Sequence, residues 1–81
     1  MPRRPAQPAT ALAAAVQTRR GAQTLRALAA ELGVANTTLS SIERGTHRPS
    51  ADTAVALARW LGWRVESVLI AADTAVERGE P

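Results

Sequence analysis

Four glycines divide an otherwise helical pattern into short segments. Gly21, Gly33, Gly45 and Gly62 each follow a stretch whose apolar residues recur three or four positions apart, as on one face of an α-helix. Glycine is disfavoured inside helices and is the preferred residue just beyond a helix end. No stretch alternates β-branched and polar residues as a strand would. The pattern therefore predicts an all-α chain of short helices.

Capping residues locate the starts of these helices. Thr10, Thr24 and Ser50 each precede a helical stretch, where a side-chain oxygen can accept a hydrogen bond from the first turn. The expected helices cover residues 10–20, 25–32, 35–44, 51–61 and 65 to about 78. The apolar positions predicted to form the core are Leu12, Val16, Leu25, Leu28, Ala29, Leu32, Ala35, Leu39, Ile42, Ala54, Leu57, Ala58, Leu61, Val65, Val68, Leu69, Ala72 and Val76.

The two ends of the chain differ from its middle. Three prolines and two arginines in residues 1–9 predict a flexible basic arm. We expect one folded domain over residues 10–72, followed by a helix end and tail over residues 73–81. A chain of 81 residues buries only about 60% of its unfolded surface, so a single small core is expected.

Composition excludes several classes of protein. The chain has no Cys and one His, so we expect no disulfide, no metal site and no Ser-His-Asp triad. No paired carboxylates or other catalytic set can be assembled, and the predicted protein is not an enzyme and has no cofactor. No apolar run approaches the ~18 residues of a membrane span. An intracellular, cytoplasmic protein associated with the nucleoid is the simplest interpretation.

The charge is unevenly distributed along the chain. The formal net charge is +3, and all ten basic residues are Arg. Residues 1–48 contain seven Arg and two Glu, a net charge of +5, whereas residues 49–81 contain three Arg and five acids, a net charge of −2. This division predicts one half that faces a polyanion and another half with a different role.

The second and third predicted helices, joined at Gly33, have the spacing of a helix-turn-helix. In that motif the second helix of the pair enters the major groove of DNA. The outward face predicted for the third helix is short and polar, with almost no charge until Arg44. An Asn such as Asn36 can bond adenine through two hydrogen bonds, and Thr can touch a thymine methyl group.

Residues 24–50, TLRALAAELGVANTTLSSIERGTHRPS, resemble the Cro/C1-type (XRE-like) helix-turn-helix family of phage repressors and bacterial regulators. The most specific element is Ile42-Glu43-Arg44-Gly45, followed by Arg48-Pro49-Ser50 and then by a helix that ends in Leu61-Gly62. The resemblance covers roughly residues 12–70. It implies a five-helix, lambda-repressor-like DNA-binding domain.

The resemblance also implies roles for individual residues. The expected base contacts are Asn36, Thr37, Thr38, Ser40 and Ser41, and the expected phosphate contacts are Thr24, Arg44, Thr46, His47 and Arg48. Glu43 is expected to form a structural ion pair with Arg19 or Arg20, and Trp63 to be part of the core. Two positions depart from the family pattern: Leu25 replaces a phosphate-binding Gln, and Ala35 replaces a capping Ser whose loss costs ~1 kcal/mol.

These features lead to one functional hypothesis and several alternatives. We expect a repressor that binds a palindromic operator in double-stranded DNA as a homodimer, with Trp60 and Ile70 in the dimer interface. The polar face of the third helix could instead be merely solvated, and His47 merely exposed. Trp60 could be a partly buried edge residue, and Ile70 a single exposed residue. The basic arm could be a plain disordered tail or could enter the minor groove. Alternative functions are an autoregulating antitoxin and a protein-interaction module that does not touch DNA. A toxin or an antirepressor would then be the protein partner.

Overall fold

Five short helices form the secondary structure of residues 10–76, the part of the chain that the computed structural model describes. They are α1 (Ala11–Arg20), α2 (Leu25–Leu32), α3 (Asn36–Arg44), α4 (Ala51–Leu61) and α5 (Val65–Ala72). No strand occurs within this range, although Thr10 and Ala75 form an isolated antiparallel bridge. The predicted all-α fold of five helices is confirmed.

Side-chain caps begin three of the helices, as the sequence predicts. Thr10 and Thr24 each accept a hydrogen bond at 3.0 Å from the backbone N–H three residues later. The hydroxyl of Ser50 accepts the corresponding bond from the N–H of Thr53 at 3.4 Å. These bonds satisfy N–H groups that the first turn of a helix leaves without a partner. The starts of α1, α2 and α4 are therefore determined locally.

The helices enclose one small core. Helix α4 packs on α5, α1 packs on α3 and α5, and α2 packs on α3 and α4. Full burial of one Leu or Ile side chain stabilises a fold by roughly 1.5–3 kcal/mol. The buried cluster consists of Leu12, Val16, Leu28, Ala29, Leu39, Ile42, Ala54, Leu57, Ala58, Val68 and Ala71. Because this cluster includes residues of every helix, the core holds α3 against the rest of the domain.

The last helix is shorter than the sequence predicts. Helix α5 ends at Ala72 rather than near Arg78, and Arg78 lies outside the described residues. The hydroxyl of Thr74 donates to the carbonyl oxygen of Ile70 at 2.7 Å, and the Thr74 carbonyl accepts from the N–H of Ala11 at 2.8 Å. The chain thus leaves the helix to bond the start of α1. Tertiary contact outweighs the helical spacing of the apolar residues here.

Two side chains expected on the apolar face are exposed. Trp63 is 37% exposed, so its assignment to the core is wrong. It follows the left-handed turn at Gly62, and it lies at the surface beside Ala14 and Leu61. Ala35 is also exposed, because it is the extended N-cap of α3 and does not share the helix face.

Two further findings concern the described residues alone. Within residues 10–76, no helix is long and apolar enough to cross a membrane. The same residues include no cluster of three His, Cys, Asp or Glu that could hold a metal ion. The basic arm expected over residues 1–9 lies outside the described residues.

Candidate nucleic-acid interface

A three-residue turn joins α2 to α3. Gly33 ends α2 in the left-handed conformation, with φ 73°, where a side chain would be strained. The next N–H, of Val34, donates to the carbonyl oxygen of Ala29 at 3.0 Å and closes the turn. Ala35 then begins α3 with its carbonyl oxygen, which accepts from the N–H of Leu39 at 3.1 Å. This turn sets the direction in which α3 leaves α2.

Helix α3 has a buried face and a polar outward face. Leu39, Ile42 and Glu43 are buried. The residues predicted to read bases are at the surface: Asn36 and Thr37 are exposed, and Thr38, Ser40 and Ser41 are half-buried. Arg44 is exposed at the last turn. The fold therefore leaves every one of these side chains accessible on a helix whose opposite side is buried in the core.

Glu43, the acid of α3, is turned inward and is 7% exposed. Its carboxylate accepts hydrogen bonds from Arg20 Nε at 2.6 Å and from Arg20 Nη2 at 2.9 Å. Its backbone carbonyl accepts from the side-chain amide of Gln17 at 3.0 Å. The hydrogen bonds with Glu43 raise the pKa of Arg20, although partial burial opposes them. Two side chains of α1 thus anchor the last turn of α3.

Arg19, the other candidate partner of Glu43, has a different role. Its guanidinium lies over the ring of Trp60, 5.6 Å from the ring centroid. Such cation–π contacts contribute about 0.5–1 kcal/mol at exposed sites. The structure therefore pairs Glu43 with Arg20, and it places Trp60 half-buried at the edge of the core.

The loop after α3 is folded back onto the helix. Gly45 has φ 73°, and the N–H of Thr46 donates to the carbonyl oxygen of Ser41 at 3.0 Å. The hydroxyl of Thr46 donates to the same oxygen at 3.3 Å and lies 3.2 Å from His47 Nδ1. Thr46, His47 and Arg48 are exposed. The loop therefore presents three polar side chains from a backbone tied to α3.

Residues expected to contact bases and residues expected to contact phosphates meet at one concave surface. Helix α3, the following loop and the start of α4 enclose it, and its lining is Thr37, Thr38, Ser41, Ile42, His47, Arg48, Ser50 and Thr53. This surface does not include the other five expected contact residues, which are Asn36, Ser40, Thr24, Arg44 and Thr46. The hydroxyl of Thr24 caps α2, with that side chain exposed at the helix start.

An ion pair that sequence analysis missed lies at the edge of this surface. Arg48 Nε is 3.1 Å from Asp73 Oδ1, and the two side chains are 62% and 57% exposed. Helices α4 and α5 separate the two residues along the chain, so no local spacing could have indicated the contact. Asp73 is the residue directly after α5, and it approaches Arg48 only because the helices pack.

Comparison with known proteins identifies the motif independently. A family model described as helix-turn-helix matches residues 16–63, which is more than half of the chain. No curated protein and no solved structure matches this chain significantly. The matched range contains α2, α3 and α4 entire, together with Arg20 and Glu43. The chain therefore belongs to the Cro/C1-type helix-turn-helix family of regulators that bind double-stranded DNA.

Proposed function

We propose that this protein is a transcriptional repressor that binds a palindromic operator as a homodimer and reads the major groove with α3. One observation carries the proposal. The only acid of α3, Glu43, is buried against Arg20, so the outward face of the helix carries no negative charge. That face instead presents short hydroxyl and amide side chains followed by Arg44. A face without negative charge can approach a polyanion without electrostatic repulsion.

The dimensions of α3 fit the proposed binding mode. The major groove is about 12 Å wide and admits one α-helix. Short side chains such as Thr37 and Ser41 let the helix backbone come close to the base edges. Asn36, at the first position of α3, can donate to and accept from one adenine. We propose Asn36, Thr37, Thr38, Ser40 and Ser41 as the base-contacting residues.

Groups suited to phosphate lie on both sides of α3. Arg44 ends the helix, and Thr46, His47 and Arg48 follow in the exposed loop. On the other side, Thr24 begins α2, where the N-terminal amides and the helix dipole favour an anion. Phosphate contacts supply most of the sequence-independent affinity for DNA and position the reading helix. We assign that part of the binding free energy to these five residues.

The proposal of a homodimer depends on α5. Ile70 is 67% exposed on this helix, and its neighbours Val68 and Ala71 are buried. An exposed large apolar side chain suits the centre of an interface between two copies related by a two-fold axis. Trp60, the other residue expected there, is half-buried beneath Arg19. We therefore propose Ile70 as the anchor of the interface and assign Trp60 to the edge of the core.

Selection of bound duplexes from a random library tests the proposal. We expect an enriched inverted repeat whose half-sites are about 34 Å apart, one turn of DNA. Enrichment of a single half-site without symmetry would contradict the homodimer. Absence of any salt-sensitive duplex binding would contradict the whole proposal and favour the protein-interaction alternative. An antitoxin would give the same DNA result, so the genes beside this one distinguish it from a dedicated repressor.

A further inference from the structure

The ion pair between Arg48 and Asp73 lies beside the surface proposed to bind DNA. Arg48 lines the same concave surface as Thr37, Thr38 and Ser41, so this residue lies beside the proposed reading face. Its Nε is 3.1 Å from an oxygen of Asp73. The Asp73 carboxylate is thus paired with the guanidinium that a DNA phosphate would otherwise contact.

Backbone contacts on both sides hold Asp73 in place. Its N–H donates to the carbonyl oxygen of Ile70 at 3.0 Å. The next residue, Thr74, bonds Ile70 through its hydroxyl and Ala11 through its carbonyl oxygen. Because the backbone is already fixed and the Asp side chain is short, Asp73 loses little further conformational entropy when it meets Arg48, and most of the entropy cost falls on the Arg48 side chain. The fold therefore holds the Asp73 backbone in place next to Arg48.

Carboxylate and phosphate compete for one guanidinium. A carboxylate is planar and a phosphate is tetrahedral, but both are oxyanions that can accept two parallel hydrogen bonds from one Arg side chain. If Arg48 turns to a phosphate, Asp73 is left as a free negative charge close to the DNA backbone. The exchange therefore costs the energy of the pair, which is less than ~1 kcal/mol for exposed groups such as these.

We propose that Asp73 lowers the affinity of this protein for DNA by holding Arg48 away from phosphate. The inference rests on the proposed DNA binding and adds a residue outside the helix-turn-helix to it. Because the competition concerns phosphate and not bases, Asp73 weakens binding to every duplex by the same factor. Added salt screens the exposed pair, so the effect of Asp73 declines as ionic strength rises.

The test compares Asp73→Asn with Glu66→Gln by fluorescence anisotropy on a labelled duplex of random sequence. Both substitutions remove one negative charge from the surface of the domain, but Glu66 has no ion-pair partner within residues 10–76. We expect Asp73→Asn to bind about two- to fivefold more tightly than the wild type. We expect Glu66→Gln to change the logarithm of the dissociation constant by less than half as much as Asp73→Asn does.

A double variant separates competition from simple charge repulsion. In an Arg48→Ala background, the Asp73→Asn substitution is expected to have no more effect than Glu66→Gln, because nothing remains to compete for. An undiminished gain in that background would overturn the inference, since Asp73 would then repel DNA directly. Weaker binding by Asp73→Asn would overturn it as well, because Asp73 would instead orient Arg48 towards phosphate.

Two further controls make the result interpretable. Circular dichroism and urea unfolding verify that each variant is folded, and Asp73→Ser replaces Asp73→Asn if the latter is destabilised. If the wild-type protein binds no duplex at all, both the proposed function and this inference fail. If it binds and Asp73→Asn matches the Glu66→Gln control, only the inference fails.

Discussion

Arg20 and Glu43 form a two-pronged ion pair that joins the end of α1 to the end of α3. Arg20 Nε and Nη2 donate to the two carboxylate oxygens at 2.6 Å and 2.9 Å. The remaining nitrogen, Nη1, donates to the carbonyl oxygen of Gln23 at 2.6 Å. The guanidinium therefore fastens the last turn of α3 both to α1 and to the turn that follows α1. This contact fixes α3 at the end opposite to Asn36.

Glu43→Gln is expected to destabilise the domain by about 2 kcal/mol. Removing one partner of a buried ion pair costs roughly 3–5 kcal/mol, and the loss is smaller here because the Arg20 side chain is 21% exposed and can regain water. The free energy of unfolding, measured in urea, tests this value. Glu66→Gln makes the same chemical change at an exposed site, and we expect it to cost less than ~1 kcal/mol. Equal losses in the two variants would show that the pair adds no stability.

Asn36→Ala is expected to relax the base preference at one position of each half-site. Loss of a paired contact to one base costs roughly 1–3 kcal/mol for the preferred sequence and little for the others. Duplex selection with the variant, compared with the wild type, measures this change. Ser67→Ala, an exposed polar substitution on α5, serves as the control. An unchanged preference profile in Asn36→Ala would contradict the proposed reading face.

Arg44→Ala is expected to weaken binding to all duplexes by a similar factor. A phosphate contact carries no sequence information, and its loss lowers the slope of log affinity against log salt by about 1. Titrations of a selected and a random duplex at several salt concentrations test both points. Arg64→Ala removes an equal charge from the exposed turn between α4 and α5 and is expected to leave the slope unchanged. A loss confined to the selected duplex would assign Arg44 to base contact instead.

Ala35→Ser is expected to stabilise the domain by about 1 kcal/mol. Ala35 is the N-cap of α3, with φ −68° and ψ 142°, and it provides no side-chain hydrogen bond to the helix. A Ser hydroxyl in this extended conformation can accept from an N–H of the first turn. Ala30→Ser, at an exposed position within α2, is expected to cost a few tenths of a kcal/mol, because Ser is a poorer helix former than Ala. The free energy of unfolding, measured by heat or urea, tests this prediction. A change of the same sign in both variants would contradict the proposal that α3 lacks a side-chain cap.

Local signals in the sequence were sufficient for most helix boundaries. Thr24 and Ser50 cap the helices that they were predicted to cap, and Gly33 ends α2 in the left-handed conformation. Such signals act between residues three to five positions apart, within one turn of helix. The same range accounts for the inward Leu39 and the outward Asn36 of α3. The helix-turn-helix could be predicted because the signals that mark its two helices and its turn are local.

The end of α5 could not be predicted in this way. The apolar spacing continues to Val76, but the helix ends at Ala72, where Thr74 turns to bond Ala11 across the domain. The assignment of Trp63 to the core is also wrong. The resemblance to the family placed this residue in the core, and only the folded structure shows it 37% exposed beside Ala14 and Leu61.

The spacing of glycines, caps and apolar residues by itself determined that this chain forms short helices with a helix-turn-helix at α2 and α3. Tertiary structure decided which charges meet. It paired Glu43 with Arg20, placed Arg19 over Trp60 and brought Asp73 to Arg48. Most helix boundaries depend on hydrogen bonds between neighbours in the chain, whereas these partners become neighbours only after the apolar faces have packed together.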